Sequence, residues 1–282
     1  MGKLAYINGQ YIPHHHATIS INDRGLQFGD AVYEVFAVFQ GKNMDEELHM
    51  DRLQFSLKEL DIPMPFTRKS FSIIVKNLMS KNRMKTGMVY IQVSRGTYPR
   101  DHYIPNVELT PNVIITTKNV PIETNADKLK SIKVITAPDI RWGRVDIKTI
   151  MLLPNCMAKT EALKQGATEI LFVKDGIVTE SASANFSFID TDGNIVTAPK
   201  GDILLGITRH TLIECAHKLQ IKVIERKFTL EEVHNATEAF ISSAAKLVTP
   251  ISHIDNVAVG NGDYPKIKRL HDEYMKKTIS NG

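Results

Sequence analysis

The chain has 282 residues, 43% of them hydrophobic and 23% charged, with a formal net charge of +4 at pH 7. This is the composition of an ordinary globular protein, and the length leads to two domains sharing an interface. The small charge, without a dense basic block, argues against nucleic acid as a partner. No stretch is long enough to span a bilayer, and two cysteines, Cys156 and Cys215, are too few for a disulfide framework and match no metal spacing.

In chain order, residues 1–9 contain no apolar signal core, so the expected setting is the cytoplasm. Asn8-Gly9 is a type I′ hairpin signal between Leu4–Ile7 and Tyr11-Ile12. His14, His15 and His16 follow one another directly, and in extended backbone they do not point the same way, so they read as a solvated loop or edge rather than a metal site. Residues 31–39 are rich in β-branched and aromatic side chains and read as a strand turned back at Gln40-Gly41. Leu53, Leu57 and Leu60 recur at helical spacing and stop at Pro63. Thr67 caps a second helix with Phe71, Ile74, Val75 and Leu78 on one face. Residues 88–93 and 112–117 read as strands that complete a first domain over residues 1–118. A polar stretch around Pro121 predicts a linker at 119–125, and residues 126–282 form the second domain.

In that second part, residues 132–137 form a strand and residues 151–164 a helix ended near Gly166. Asp175-Gly176 and Asp192-Gly193 each mark a hairpin. Residues 208–219 read as a helix, 222–225 as a strand, and Thr229-Leu230-Glu231-Glu232 as a capping box. The lysines and arginine of residues 266–270 form the wet face of a last helix. The mixture is α+β.

Residues 141–153 (Arg-Trp-Gly-Arg-Val-Asp-Ile-Lys-Thr-Ile-Met-Leu-Leu) set one lysine, Lys148, in an apolar run. A lysine drawn out of water deprotonates more easily, and a neutral amine attacks an aldehyde, which is the chemistry of a carbonyl cofactor. The alternative is a lysine at an element boundary with its ammonium in water.

Further segments accompany it. Residues 178–186 (Val-Thr-Glu-Ser-Ala-Ser-Ala-Asn-Phe) and 204–209 (Leu-Leu-Gly-Ile-Thr-Arg) follow in the chain, and residues 23–30, Tyr33-Glu34 and residues 50–53 precede it. In this order the segments resemble the class IV pyridoxal-phosphate aminotransferases, which comprise branched-chain and D-amino acid aminotransferases and aminodeoxychorismate lyase. The resemblance implies a two-domain fold type IV enzyme, a small N-terminal α/β sandwich with a larger barrel-like C-terminal α/β domain. It implies pyridoxal 5′-phosphate as cofactor, with Lys148 as the Schiff-base lysine and proton carrier and Glu180 as partner of the ring nitrogen. Arg52, Ile207, Thr208, Ser183 and Ser243 are the further cofactor-binding residues it implies. Thr208 opens a predicted helix, and a helix N-terminus offers free N–H groups and positive dipole to a phosphate. Plain capping by Thr208 and a surface ion pair for Arg52 are the alternatives.

Residues 95–105 (Arg-Gly-Thr-Tyr-Pro-Arg-Asp-His-Tyr-Ile-Pro) look like the signature loop of the D-amino acid aminotransferases. Arg100 and His102 are two apart, so in extended backbone they project to one side, where a charged fork and a second donor hold an α-carboxylate. An ion pair of Arg100 with Asp101 is the alternative. The resemblance adds Tyr33 to this carboxylate anchor and places Arg141 near the cofactor, orienting Tyr33 or the phosphate site. It also implies a homodimer in which the loop reaches the neighbouring subunit's cofactor. The expected reaction is ping-pong transfer of an amino group from a D-amino acid, D-alanine foremost, to a 2-oxo acid, 2-oxoglutarate foremost. A branched-chain aminotransferase and aminodeoxychorismate lyase are the alternatives.

Overall fold

The computed structural model describes residues 3–280, so Met1 and Gly2 of the N-terminal stretch read above lie outside the described residues. The chain divides into two compact units, one reaching Ile122 and including Ile147–Met151, the other made of Glu123–Asp146 and the chain from Leu152 onward. The short segment Ile147–Met151 lies inside the expected second domain but packs with the first unit. Its backbone is the reason: the Tyr33 amide donates to the Lys148 carbonyl, Thr149 bridges Val32, and the Ile150 amide donates to the Ala31 carbonyl.

The first unit contains β1 (Leu4–Ile7), β2 (Gln10–Pro13), α1 (Arg24–Phe28), β3 (Ala31–Phe39), β4 (Lys42–Asn43), α2 (Glu46–Glu59), α3 (Arg68–Lys81), β5 (Gly87–Ser94) and β6 (Asn112–Asn119). The strands form an antiparallel six-stranded sheet in the order β2-β1-β6-β5-β3-β4. Asn8 and Gly9 have φ of 47° and 95°, the two positive values that a type I′ turn requires. The helices bury Leu53, Leu57, Phe71 and Leu78 completely, and Phe71 meets Phe36 of β3 at 5.2 Å between ring centroids. Thr67 and Ser70 cap α3 reciprocally.

The bounds of one expected element change. The helix expected around Leu53 begins at Glu46, because its polar first turn, with Glu46 and Glu47 at the positive end of the dipole, shows no apolar period. It ends at Glu59, before the expected Pro63. The helix α1 is only five residues long, too short for a periodic signal, and Asp23 caps it by accepting from the Leu26 amide. His14–His16 is an exposed 3₁₀ turn rather than extended backbone.

The second unit contains β7 (Ile132–Pro138), α4 (Leu153–Lys164), β8 (Glu169–Lys174), β9 (Ile177–Ser181), β10 (Asn185–Ile189), β11 (Ile195–Thr197), α5 (Ile207–Lys218), β12 (Val223–Glu225), α6 (Leu230–His234), β13 (Glu238–Ser243), β14 (Leu247–Ile254), β15 (Val257–Ala258) and α7 (Pro265–Ser280). Its nine-stranded sheet runs β12-β11-β10-β13-β14-β7-β8-β9, with β15 added on β14. The pairs β14–β7, β7–β8 and β11–β12 are parallel and the others antiparallel. The barrel-like domain is a half-barrel, since β12 and β9 end the hydrogen-bonded path.

Phe186 and Phe188 of β10 meet Phe228 over this sheet, the last pair at 5.1 Å in a T-shaped contact. The hairpin β13–β14 gives no alternating signal because nearly all of β13 is buried, so polar residues do not mark one face. The helix expected from residue 151 starts at Leu153, where Pro154 in the first turn lacks an N–H that has no intrahelical partner anyway. The helix expected from Thr208 starts one residue earlier, at Ile207, with Gly206 as N-cap. Thr229 and Glu232 form the expected capping box. In α7, Ile267 and Leu270 face inward and Arg269 outward.

Candidate active site

In the first unit, Lys148 is fixed through its backbone from both sides. Its amide donates to Ser56 Oγ at 3.2 Å and its carbonyl accepts from the Tyr33 amide at 2.9 Å. The side chain is half-buried, and Nζ lies 4.2 Å from the centroid of the Tyr33 ring. Among the described residues no carboxylate is in ion-pair distance of that amine. Tyr33 stacks on Tyr90 at 5.6 Å, and the Tyr90 hydroxyl donates to Gln92 Oε1. Burial, with Tyr33 next, pushes the Tyr90 phenol up to about 12, so it stays neutral at physiological pH.

Arg52 has a carboxylate already. Its Nε donates to Glu34 Oε1 at 2.6 Å and Nη2 to Oε2 at 2.8 Å, while His49 Nδ1 lies 2.8 Å from Oε2. Glu34 is fully buried. Burial pushes its carboxyl up, but Arg52 and the hydrogen bonds from Arg52 and His49 outweigh that and hold it well below the usual carboxylate range. Burial pushes the His49 imidazole down, so it serves as a neutral donor.

A group with a depressed folded pKa stabilises fully above its unfolded value, about 4.3 for glutamate, and its contribution fades as pH falls toward the folded value. Glu34→Ala is therefore expected to cost about 3–5 kcal/mol in urea unfolding at pH 7, because Arg52 loses its buried partner. The difference from the parent should shrink below about pH 4. A difference that stays constant through the acid range would remove Glu34 from the pH dependence.

Arg100 and His102 are exposed on the loop between β5 and β6, which is irregular rather than a strand. The two side chains nevertheless converge on Phe28: the Arg100 guanidinium lies 4.8 Å from the ring centroid and the His102 ring 5.7 Å, edge-on. Among the described residues no ion pair joins Asp101 to Arg100. Its side chain accepts from the His102 amide and its carbonyl from Arg24.

In the second unit, Glu180 is buried at the end of β9 and Arg141 forks between two carboxylates. Arg141 Nη1 donates to Glu180 Oε1, while Nε and Nη2 donate to Asp139 at 2.9 and 2.6 Å. Thr179 donates to Asp139 Oδ2 at 2.9 Å. Burial works against the Arg141 charge, but Asp139 and Glu180 outweigh it and raise its pKa above the ordinary value. Glu180 further accepts from the Leu204 amide at 3.1 Å and from Asn185 Nδ2 at 2.9 Å.

Thr208 and Ile207 are buried in the first turn of α5, whose N-cap Gly206 has no side chain to occupy the free amides. Ser183 is exposed and donates to Glu169 Oε2 at 3.1 Å, and Glu169 also receives Lys159 at 2.8 Å. Ser243 is half-buried at the end of β13. The structure thus joins Glu180 to Arg141 and to the entrance of α5, and in the first unit it sets Lys148 over Tyr33 and both Arg100 and His102 against Phe28. It adds Ser56, Glu34, His49, Asp139 and Asn185 as buried or half-buried partners. Glu34 and Asn185 lie within the segments that carry the resemblance, Asp139 has a local signal in the short spacing Asp-x-Arg, and Ser56 and His49 have none.

The Amino-transferase class IV family model matches residues 31–254, a span that contains Tyr33, Arg52, Arg100, Lys148, Glu180 and Thr208. The chain belongs to this family. It is an aminotransferase, and its cofactor is pyridoxal 5′-phosphate. A D-alanine aminotransferase of Listeria innocua is 35% identical over 276 residues, covering 97% of this chain and 95% of the relative. The fold is shared with a branched-chain amino acid aminotransferase of Escherichia coli, with a TM-score of 0.89 at 22% identity over 99% of this chain and 95% of that one. It is shared too with a branched-chain aminotransferase of the archaeon Thermoproteus uzoniensis with norvaline, with a TM-score of 0.86 at 24% identity over 99% of this chain and 96% of the other. Among the described residues no helix is long and apolar enough to cross a membrane, and no group of three or more His, Cys, Asp or Glu is arranged to hold a metal ion.

Proposed function

We propose that this aminotransferase is a D-amino acid transaminase that moves the amino group of a D-amino acid, D-alanine foremost, to a 2-oxo acid, 2-oxoglutarate foremost, in a ping-pong sequence. The observation that carries the substrate class is the convergence of Arg100 and His102 on Phe28, a charged fork beside a second donor, in a chain whose relatives include D-alanine aminotransferases. A carboxylate held there has its orientation fixed, and the enantiomer that then turns its Cα–H toward the lysine reacts.

The donor set fits the cofactor. An uncapped helix N-terminus with Thr208 in its first turn suits the phosphate, and Glu180, held by the Arg141 cation, suits a protonated ring nitrogen. Bound pyridoxal phosphate supplies an electron sink for the pair left when the Cα–H bond breaks. Lys148 supplies the amine for its aldehyde and, once released, carries the proton from the substrate Cα. Its position over Tyr33 orients that amine. Arg52, anchored on Glu34, supplies charge for the phosphate, Ser243 adds a hydroxyl there, and Ile207 and Ser183 are further cofactor-binding residues. Arg141 orients Glu180 through its hydrogen bond to Oε1, and Tyr33 completes the carboxylate anchor. The resemblance supports a homodimer in which the Arg100 loop serves the partner's site.

The test is the visible spectrum of the loaded protein with single amino acids. D-alanine is expected to bleach the band and release pyruvate, whereas L-alanine and L-leucine leave it unchanged. Bleaching by L-leucine alone would move the protein to the branched-chain group.

A further inference from the structure

The geometry points to Asn185 as a positioning residue that ties the carboxylate for the cofactor ring to the cradle for its phosphate. This rests on the cofactor roles proposed for Glu180 and Thr208. The Asn185 side chain is buried at the start of β10, and a single amide nitrogen serves both sides: Nδ2 donates to Glu180 Oε2 at 2.9 Å and to the Leu204 carbonyl at 2.8 Å. The Leu204 amide in turn donates to Glu180 Oε1 at 3.1 Å, so the carboxylate, the carboxamide and the backbone of one residue close a ring of hydrogen bonds. The segment from Leu204 runs directly into Gly206 and the first turn of α5. Any sideways motion of Glu180 is therefore transmitted to the phosphate end, and the reverse.

A second observation is independent of those bonds. Gly206 has an ordinary φ of −68°, so its backbone conformation does not require glycine. Space does. A Cβ at Gly206 would lie 1.8 Å from Asn185 Oδ1 and 3.0 Å from its Cγ, and the next neighbour, Arg209 Cβ, is in ordinary contact at 3.5 Å. The helix entrance is thus packed directly against the carboxamide, and Gly206 is small because Asn185 stands behind it. Both amide hydrogens of Asn185 have acceptors, whereas an aspartate there would offer no donors and set a second carboxylate against Glu180.

The experiment measures equilibrium affinity of the apoprotein for pyridoxal phosphate and, in parallel, for pyridoxal, which lacks the phosphate. The variants are Asn185→Ala, Gly206→Ala, the double variant and Glu180→Gln, with circular dichroism to establish that each is folded. Asn185→Ala is expected to weaken pyridoxal phosphate about tenfold, the effect of losing hydrogen bonds to a buried charged group. It should weaken pyridoxal less, because only one end of that ligand is read. Gly206→Ala should weaken pyridoxal phosphate by pushing the carboxamide off Glu180, and adding it to Asn185→Ala should cause no more than about a twofold further loss, since the clash is gone.

Multiplying single effects in the double variant, or equal losses for the two ligands, would overturn the link. A large loss in Glu180→Gln with none in Asn185→Ala would overturn it too while leaving the Glu180 assignment standing. No loss in Glu180→Gln would remove the cofactor reading of Glu180 itself, and the inference with it.

Discussion

Lys148→Ala is expected to lower kcat for transamination by about four orders of magnitude or more, because its amine is proposed to serve both as the group that takes the cofactor aldehyde and as the proton carrier. The fold should survive the change. Lys148 is held by its backbone, through Ser56 and Tyr33, and its half-buried side chain lies over the Tyr33 ring without a carboxylate partner among the described residues. Truncation therefore removes chemistry without orphaning a buried charge. The check is twofold: the melting temperature should stay within a few degrees of the parent, and exchange of the D-alanine Cα proton with solvent should stop. Small primary amines added to the solution should restore part of the rate. A variant retaining more than about one hundredth of the parent kcat would assign the proton to another group.

The second large effect is a gain of activity from two damaged proteins. Arg100→Ala is expected to raise KM for D-alanine about ten- to a hundredfold while leaving the visible spectrum of the loaded protein intact, since on the proposed assignment a charge-assisted fork to the substrate carboxylate is lost and the cofactor groups are not. If the Arg100 loop serves the partner's site, a heterodimer of Lys148→Ala with Arg100→Ala has one site with both residues and one with neither. Co-expression in equal amounts should then yield about a quarter of parental activity at low substrate, because half of the dimers are mixed and each carries one sound site. If each loop serves its own subunit, every site lacks one residue or the other and the mixture stays at the level of its parents. The exposure of Arg100 and His102, on a loop that also exposes Tyr103 and Ile104, accords with a surface completed by a second copy.

Much of the proposed site was legible as order along the chain. Lys148, then Glu180, then Gly206-Ile207-Thr208 appear in family order, and hairpin signals at Asn8-Gly9 and Asp175-Gly176 place strands correctly because turn chemistry is local. Arg100 and His102 were paired by their spacing within a loop that resembles the family's signature, and the structure brings both to Phe28 although their backbone is not extended as supposed. The partners of Arg52 were not legible. Glu34 is 18 residues away on another element, and nothing in either segment shows that one will be buried against the other.

What the sequence by itself determined is the inventory and its order: the lysine proposed as the reacting amine, the glutamate proposed for the ring nitrogen, the glycine before a helix, the arginine-x-histidine pair and the elements whose periods are local. Only the tertiary structure decided how each group is held. Burial of Glu34 selects Arg52 and His49 as partners, Arg141 divides between Asp139 and Glu180, and Asn185 fixes both Glu180 and the approach to α5. These are choices made by desolvation. A charge or amide removed from water binds whichever complementary group the packing brings within reach, and that group is set by long-range contacts rather than by neighbours in the chain.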